Sequence, residues 1–187
     1  MLSIIIATKD SERALVPTLA ALVPGAMAGL VSEVVIADGG SRDDTSIVAE
    51  HAGCNFVTAE RSLAHQLNAG AAKARARWLL FLQPGTVLEA TWTSDAQRFA
   101  ERSANAVTAA VFRRGVPGRS GLREALSFLA TALGGRPSPE QGLLIAKPFY
   151  TALGGHSLSA ANPEAELIRR IGRRRIVVLP TVAHAAS

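Results

Sequence analysis

The chain has 187 residues, of which 48% are hydrophobic and 19% charged, with a formal net charge of +5. That size suits one domain around one core, and no apolar run nears the roughly 20 residues that a bilayer span needs. A single cysteine, Cys54, excludes an internal disulfide framework and a multi-cysteine zinc site, and points to the cytoplasm. The charge is skewed: residues 1–93 carry 7 Lys/Arg against 9 Asp/Glu, residues 94–187 carry 13 against 6. A basic half of this kind can attract phosphates or an anionic membrane surface, or it can be a solvated arginine-rich face. Only 5% of residues are aromatic and none interleave with the basic runs, which argues against a nucleic-acid partner.

The chain opens on "LSIIIAT", residues 2–8, a continuous apolar run expected of a strand covered on both faces. Because it is short and has no basic leader, it reads as a strand and not as a signal peptide. Leu15, Leu19 and Leu22 follow at helical spacing; Pro17 implies that the helix starts late or tolerates the proline in its first turns, and Pro24-Gly25 should close it. "EVVIAD", residues 33–38, is a second strand. A turn and helix over residues 39–53 follow, with Ser41 and Asp44 spaced as a capping pair and Gly53 at the stop. "CNFVTA" is a short third strand, "LAHQLNAGAAKARA" a small-residue helix and "WLLFL" the fourth strand. This alternation predicts a parallel sheet with right-handed crossovers.

The second half is less regular. Residues 92–103 read as a helix and residues 106–113 as a strand. Leu122, Leu126, Leu129 and Leu133 form one helical stripe, suited to core packing or, alternatively, to a peripheral membrane contact or a homodimer. "GLLIA" is a strand, "NPEAELIRRIG" a helix with Pro163 near its start, and "RIVVL" the final strand, after which "PTVAHAAS" trails out. There is no repeat and no linker.

In an open α/β sheet, ligands collect at the C-terminal strand ends. That rule selects Thr8, Lys9 and Asp10 after the first strand, Asp38 to Ser41 after the second, and Gln83 to Thr86 after the fourth. "ADGGS" offers a carboxylate, two glycines that let a ligand approach the backbone, and a helix start that favours an anion. A tight turn that uses Asp38 as a local cap fits the same residues. No dinucleotide fingerprint, phosphate loop or nucleophile elbow is present.

"SIIIATKDSERALVPTLAAL", "EVVIADGGSRDDT" and "HQLNAGAAKARARWLLFLQPGTVL" together resemble a family 2 glycosyltransferase of GT-A fold, most closely the small bacterial rSAM/selenodomain-associated branch. The match is good over about residues 2–90 and returns at "GLLIAKPFYTALGGHSLSAANPEAELIRRIG". The resemblance implies a single α/β domain over residues 1–187 with a mostly parallel central sheet flanked by helices. Residues 1–90 would form the nucleotide-binding half and residues 91–187 the acceptor-side half. It implies a UDP- or GDP-type sugar donor and an unassigned acceptor. By position, Thr8, Asp10, Asp38 and Gly39 would hold the nucleoside, with Gln66 and Asn68. Arg61 would stand in for an arginine the family places where this chain has Leu63. The location it implies is the cytoplasm, with the inner membrane face as an alternative.

Two departures stand out. The family's metal motif ends the fourth strand with acidic residues; here Gln83 and Gly85 occupy that place, although a hard divalent cation prefers charged oxygen ligands. The Mn²⁺ or Mg²⁺ expected of the family thus lacks its ligands, and arginines of the second half or Lys9 would have to meet the leaving diphosphate. The catalytic base, a carboxylate that accepts the acceptor's hydroxyl proton, aligns with Glu164. A transferase that works without metal and a catalytically silent relative acting as a binding or scaffold protein both fit these departures.

Overall fold

In a computed structural model of the protein, residues 1–102, 107–115 and 137–185 are described. Strands β1 (Leu2–Thr8), β2 (Val31–Asp38), β3 (Asn55–Thr58) and β4 (Trp78–Leu82) alternate with helices α1 (Glu12–Met27), α2 (Thr45–His51) and α3 (Leu63–Lys73). There follow β5 (Thr86–Leu88), α4 (Trp92–Arg102), β6 (Ala109–Arg114), β7 (Leu143–Ala146), α5 (Lys147–Ala152), α6 (Pro163–Ile171) and β8 (Ile176–Ala185). The Leu122 to Leu133 stripe lies outside the described residues.

All eight strands share one sheet, in the order β3-β2-β1-β4-β7-β6-β8-β5. The first four pair in parallel. β7 runs antiparallel to both β4 and β6, β8 is parallel to β6, and β5 is antiparallel to β8. The sheet is therefore parallel over the strands of the first half of the chain and mixed over the rest. β1 and β4 sit at its centre, and every residue of both is buried. This is why both read as uninterrupted apolar runs. Their C-terminal ends, with that of β2, form one rim.

Several boundaries differ from the sequence expectation. Helix α1 runs past Pro24 to Met27. Tertiary packing outweighs the proline there: the ring of Trp92, fully buried, lies against Gly25, where an added Cβ would stand 2.4 Å from Trp92 Cζ2. The Trp92 indole N–H donates to Ala21 O at 3.0 Å. Helix α2 starts only at Thr45, because Ser41 is drawn back to Asp38 and Asp43 takes the turn instead, accepting from Thr45 N at 3.1 Å and from Glu12 N at 3.0 Å. Residues 180–185 do not trail out. They extend β8, because Asp95 on α4 accepts from Thr181 N at 3.0 Å and Thr181 Oγ1 at 2.6 Å just beyond Pro180. β5 and α5, both unassigned from sequence, are three and six residues long, too short for periodicity to show.

Candidate functional site

The rim gathers the strand tips. β1 and β2 are in register through Thr8 and Asp38. The Asp38 carboxylate is 4% exposed and accepts from Thr8 Oγ1 at 2.9 Å, Ser41 Oγ at 2.5 Å, Gly40 N at 2.9 Å and Ser41 N at 2.8 Å. Burial alone would raise its pKa, but these bonds outweigh burial and hold it below the usual value. Four donors match what one carboxylate can accept, so Asp38 organises the turn from within. Gln66 lies beneath it, buried, its Nε2 donating to Thr8 O at 3.0 Å. Gly39 is the residue this requires, since a Cβ there would stand 1.9 Å from Gln66 Nε2.

Asp10 is the tip itself. It takes a left-handed φ of 47°, its Oδ1 accepts from Arg42 N at 2.7 Å and its own N–H donates to Ser41 Oγ at 2.8 Å. Asp10 lines a cleft of about 380 Å³ that is shared with Ser11, Ala14, Leu63, Leu67, Gln83, Pro84 and Glu164. Residues from β1, α1, α3, the β4 end and α6, far apart in sequence, thus converge on one hollow. Arg61 is exposed and lines neither this cleft nor the adjoining one.

At the end of β4, residues 83–86 form a tight turn closed by Thr86 N donating to Gln83 O at 3.0 Å. Pro84 and Gly85, the latter at φ 88°, occupy the central positions as a type II turn requires. Gln83 Nε2 donates to Glu164 Oε2 at 2.7 Å. The residue in place of the expected metal ligand and the expected base are therefore hydrogen-bonded partners. Glu164 stands in the first turn of α6, which is capped by Asn162 Oδ1 accepting from Ala165 N at 2.9 Å. Burial raises the Glu164 carboxyl above its ordinary value, and the weaker opposing effect is the Gln83 hydrogen bond.

This turn does not fit a divalent cation. Gln83 is engaged with Glu164, Pro84 and Gly85 bring no side-chain ligand, and Thr86 is buried. Among the described residues no three His, Cys, Asp or Glu side chains gather as a metal site.

Asn68 faces elsewhere. Its Nδ2 donates to His156 O at 2.8 Å, and its Oδ1 accepts from Tyr150 Oη at 2.7 Å and His156 N at 2.9 Å. It thereby ties α3 to the loop after α5. His156 is 2% exposed, set edge-on against Phe81 with ring centroids 5.0 Å apart. It lies in the core and lines neither the Asp10 cleft nor its neighbour. Burial first, then the charge of Arg170, pushes its pKa down to about 4, with Glu166 opposing. Arg170 itself is committed to Glu166, Leu153 O and Gly155 O. His184 in β8 is half-exposed and pairs with Glu89 at 3.1 Å.

The sequence reading had Pro84 within the β4 end and Leu63 at the family's arginine position, but missed Ser11, Ala14 and Leu67 as lining residues. Position beside a strand tip could have suggested Ser11; nothing local marks Ala14 or Leu67. No described helix is long and apolar enough to cross a membrane.

The family model described as "Glycosyl transferase family 2" matches residues 3–151. No curated protein sequence matches the chain. Among solved structures, S. aureus TarS 1–349 is similar at TM-score 0.74 and 16% identity, over 99% of this chain and 60% of that one. Glucosyl-3-phosphoglycerate synthase from Mycobacterium tuberculosis, solved with Mn²⁺, UDP and glucosyl-3-phosphoglycerate, is similar at 0.68 and 18%, over 100% and 70%. A mannosyltransferase from Pyrobaculum calidifontis, solved with GDP-Man and Mn²⁺, is similar at 0.76 and 15%, over 99% and 56%. The chain thus spans a little over half to about two thirds of these proteins, and the likeness shows that the fold is shared.

Proposed function

Because the chain belongs to glycosyl transferase family 2, we propose that its rim cleft binds a nucleoside-diphosphate sugar of UDP or GDP type, and that the protein transfers the sugar to a hydroxyl acceptor without a metal held at the β4 turn. The acceptor oxygen attacks the sugar's anomeric carbon, its proton passes to Glu164, and the bond to the diphosphate breaks with its electron pair leaving on the phosphate. Glu164 is the group to hold that proton: a carboxyl raised by burial is a better base near neutrality than an exposed one. The observation that carries the reading is the Gln83–Glu164 bond at 2.7 Å inside the cleft, which holds the Glu164 carboxyl beside the end of β4 and so supports its use as the base. Solved members of the same fold hold UDP in one case and GDP-Man in another, each with Mn²⁺, which supports the ligand class. The branch resembled, rSAM/selenodomain-associated, and a site on the inner membrane face belong to this proposal as well.

A silent relative that keeps the nucleotide cleft is the second reading. It is favoured by Asp38, whose acceptor sites are filled by its own turn and by Thr8 of β1. Thermal-shift titration with UDP, GDP and their sugars, with and without Mn²⁺, tests the cleft. Donor hydrolysis by the wild type against Glu164→Gln separates the readings: turnover lost in the variant supports the transferase, and binding with no turnover in either supports the silent relative. No shift with any nucleotide would overturn both.

A further inference from the structure

A second cleft, of about 430 Å³, adjoins the first, and Ala14, Gln83 and Pro84 line both. Its far wall is built from Arg13 at the start of α1, Arg114 and Gly115 at the end of β6, Glu140, and Ala183 and Ala185 of β8. We infer that this cleft is an anion site for the donor's diphosphate, with Arg13 and Arg114 supplying the positive charge for which the β4 turn holds no metal ligands. The inference rests on the nucleotide reading above and deepens it.

Elimination among the described residues selects these two. The Gly85 N–H, which points from the turn, is taken by Ala14 O and Thr18 Oγ1, each at 2.9 Å. The Gly115 N–H is taken by Ala183 O at 2.7 Å. Thr86 is 5% exposed. Lys9 and the Arg173, Arg174 and Arg175 run line neither cleft, and Arg170 is held by two carbonyls and Glu166.

Arg13 is exposed on the first turn of α1. Arg114 pairs with Glu140 at 2.6 Å, and the two side chains are 63% and 55% exposed. Exposed pairs of this kind are weak and exchangeable, so an incoming diphosphate can take Arg114 from Glu140. Guanidinium groups suit the task, because their planar forks bind phosphate oxygens two at a time. The two clefts share the wall of Ala14, Gln83 and Pro84, so a donor seated in the Asp10 cleft can extend past that wall toward these arginines.

The test is calorimetric titration of the full chain with UDP, GDP, uridine, guanosine and inorganic pyrophosphate, in EDTA and again in Mg²⁺. Expected is binding of UDP or GDP, and of pyrophosphate more weakly, in EDTA. Arg13→Gln and Arg114→Gln should each weaken it about tenfold, or about 1.4 kcal/mol, and raised salt should weaken it further. Glu140→Gln should tighten binding by freeing Arg114, a gain that no folding defect can mimic. Binding that needs Mg²⁺, arginine variants that bind like the wild type, or a Glu140→Gln variant that binds more weakly would overturn the inference. Uridine or guanosine bound as tightly as the diphosphates would also overturn it while leaving the nucleoside cleft standing. Pyrophosphate binding to which a nucleoside adds nothing would keep the anion site and refute the nucleotide reading; no binding of any probe refutes both.

Discussion

Replacing Asn68 by alanine separates two roles that the sequence leaves superimposed. The resemblance places Asn68 against the nucleotide, whereas the side chain makes three hydrogen bonds to residues 150 and 156 at 2.7 to 2.9 Å. At about 1 kcal/mol for each hydrogen bond, the loss is about 3 kcal/mol. Tyr150 Oη keeps its 2.8 Å contact to His156 Nδ1 and His156 N a 3.3 Å contact to Tyr150 Oη, while His156 O loses its donor Asn68 Nδ2, so the cost is about 3 kcal/mol or somewhat more. For a chain of 187 residues, about 2–4 °C per kcal/mol gives a fall in Tm of about 6–12 °C. The assay is differential scanning calorimetry, paired with UDP and GDP titration well below the variant's Tm. Nucleotide affinity should change less than about threefold, a margin of about 0.7 kcal/mol. A Tm within about 2 °C of wild type, together with affinity lost, would refute the reasoning and return Asn68 to the ligand.

Four further outcomes follow from the same geometry. His156 has a pKa of about 4 in the folded protein against an ordinary 6.5, so the native state resists its protonation; stability should be intact above pH 6.5 and fall as pH drops toward 4, by about 3 kcal/mol in urea titrations, and a flat profile in that window would count against it. Glu33 is 9% exposed and accepts from Ser3 Oγ, Asn55 Nδ2, Arg75 N and Arg75 Nε at 2.6 to 3.1 Å; burial would raise its pKa, but those bonds outweigh it and lower it. Glu33→Gln should therefore cost about 3 kcal/mol at pH 7, and the gap to wild type should close as pH falls below 4.5 through the depressed folded value. Gly39→Ala must displace the Gln66 amide from Thr8 O, which should lower Tm and widen the tip of β1, read as a weaker nucleotide titration. Gln83→Ala removes the one effect that lowers the Glu164 pKa, so the acid limb of the kcat/KM profile should move to higher pH; an unmoved limb would show that Glu164 is not the titrating base.

Most of the first half of the fold was legible in the sequence. The runs that became β1 and β4 are continuous and apolar because both faces of those strands are covered, and that local pattern has few other solutions. The break at Gln83-Pro84-Gly85-Thr86 announced a turn at a strand end because Pro and Gly pre-set its φ angles. The continuation of α1 beyond Pro24 could not be read, since it depends on Trp92, 67 residues beyond Gly25. The extension of β8 past Pro180 could not be read either, since it depends on Asp95. The site divides the same way. Strand-tip position selected Asp10, Asp38 and Gln83 as candidates, and the family resemblance added Glu164. Only the folded chain decided that Asp38 turns its oxygens inward to its own loop, that Asn68 holds the turn after α5, and that Gln83 meets Glu164. Side-chain hydrogen bonds between residues some eighty positions apart leave no periodic trace in the sequence; they exist only once the sheet has brought its strand ends together.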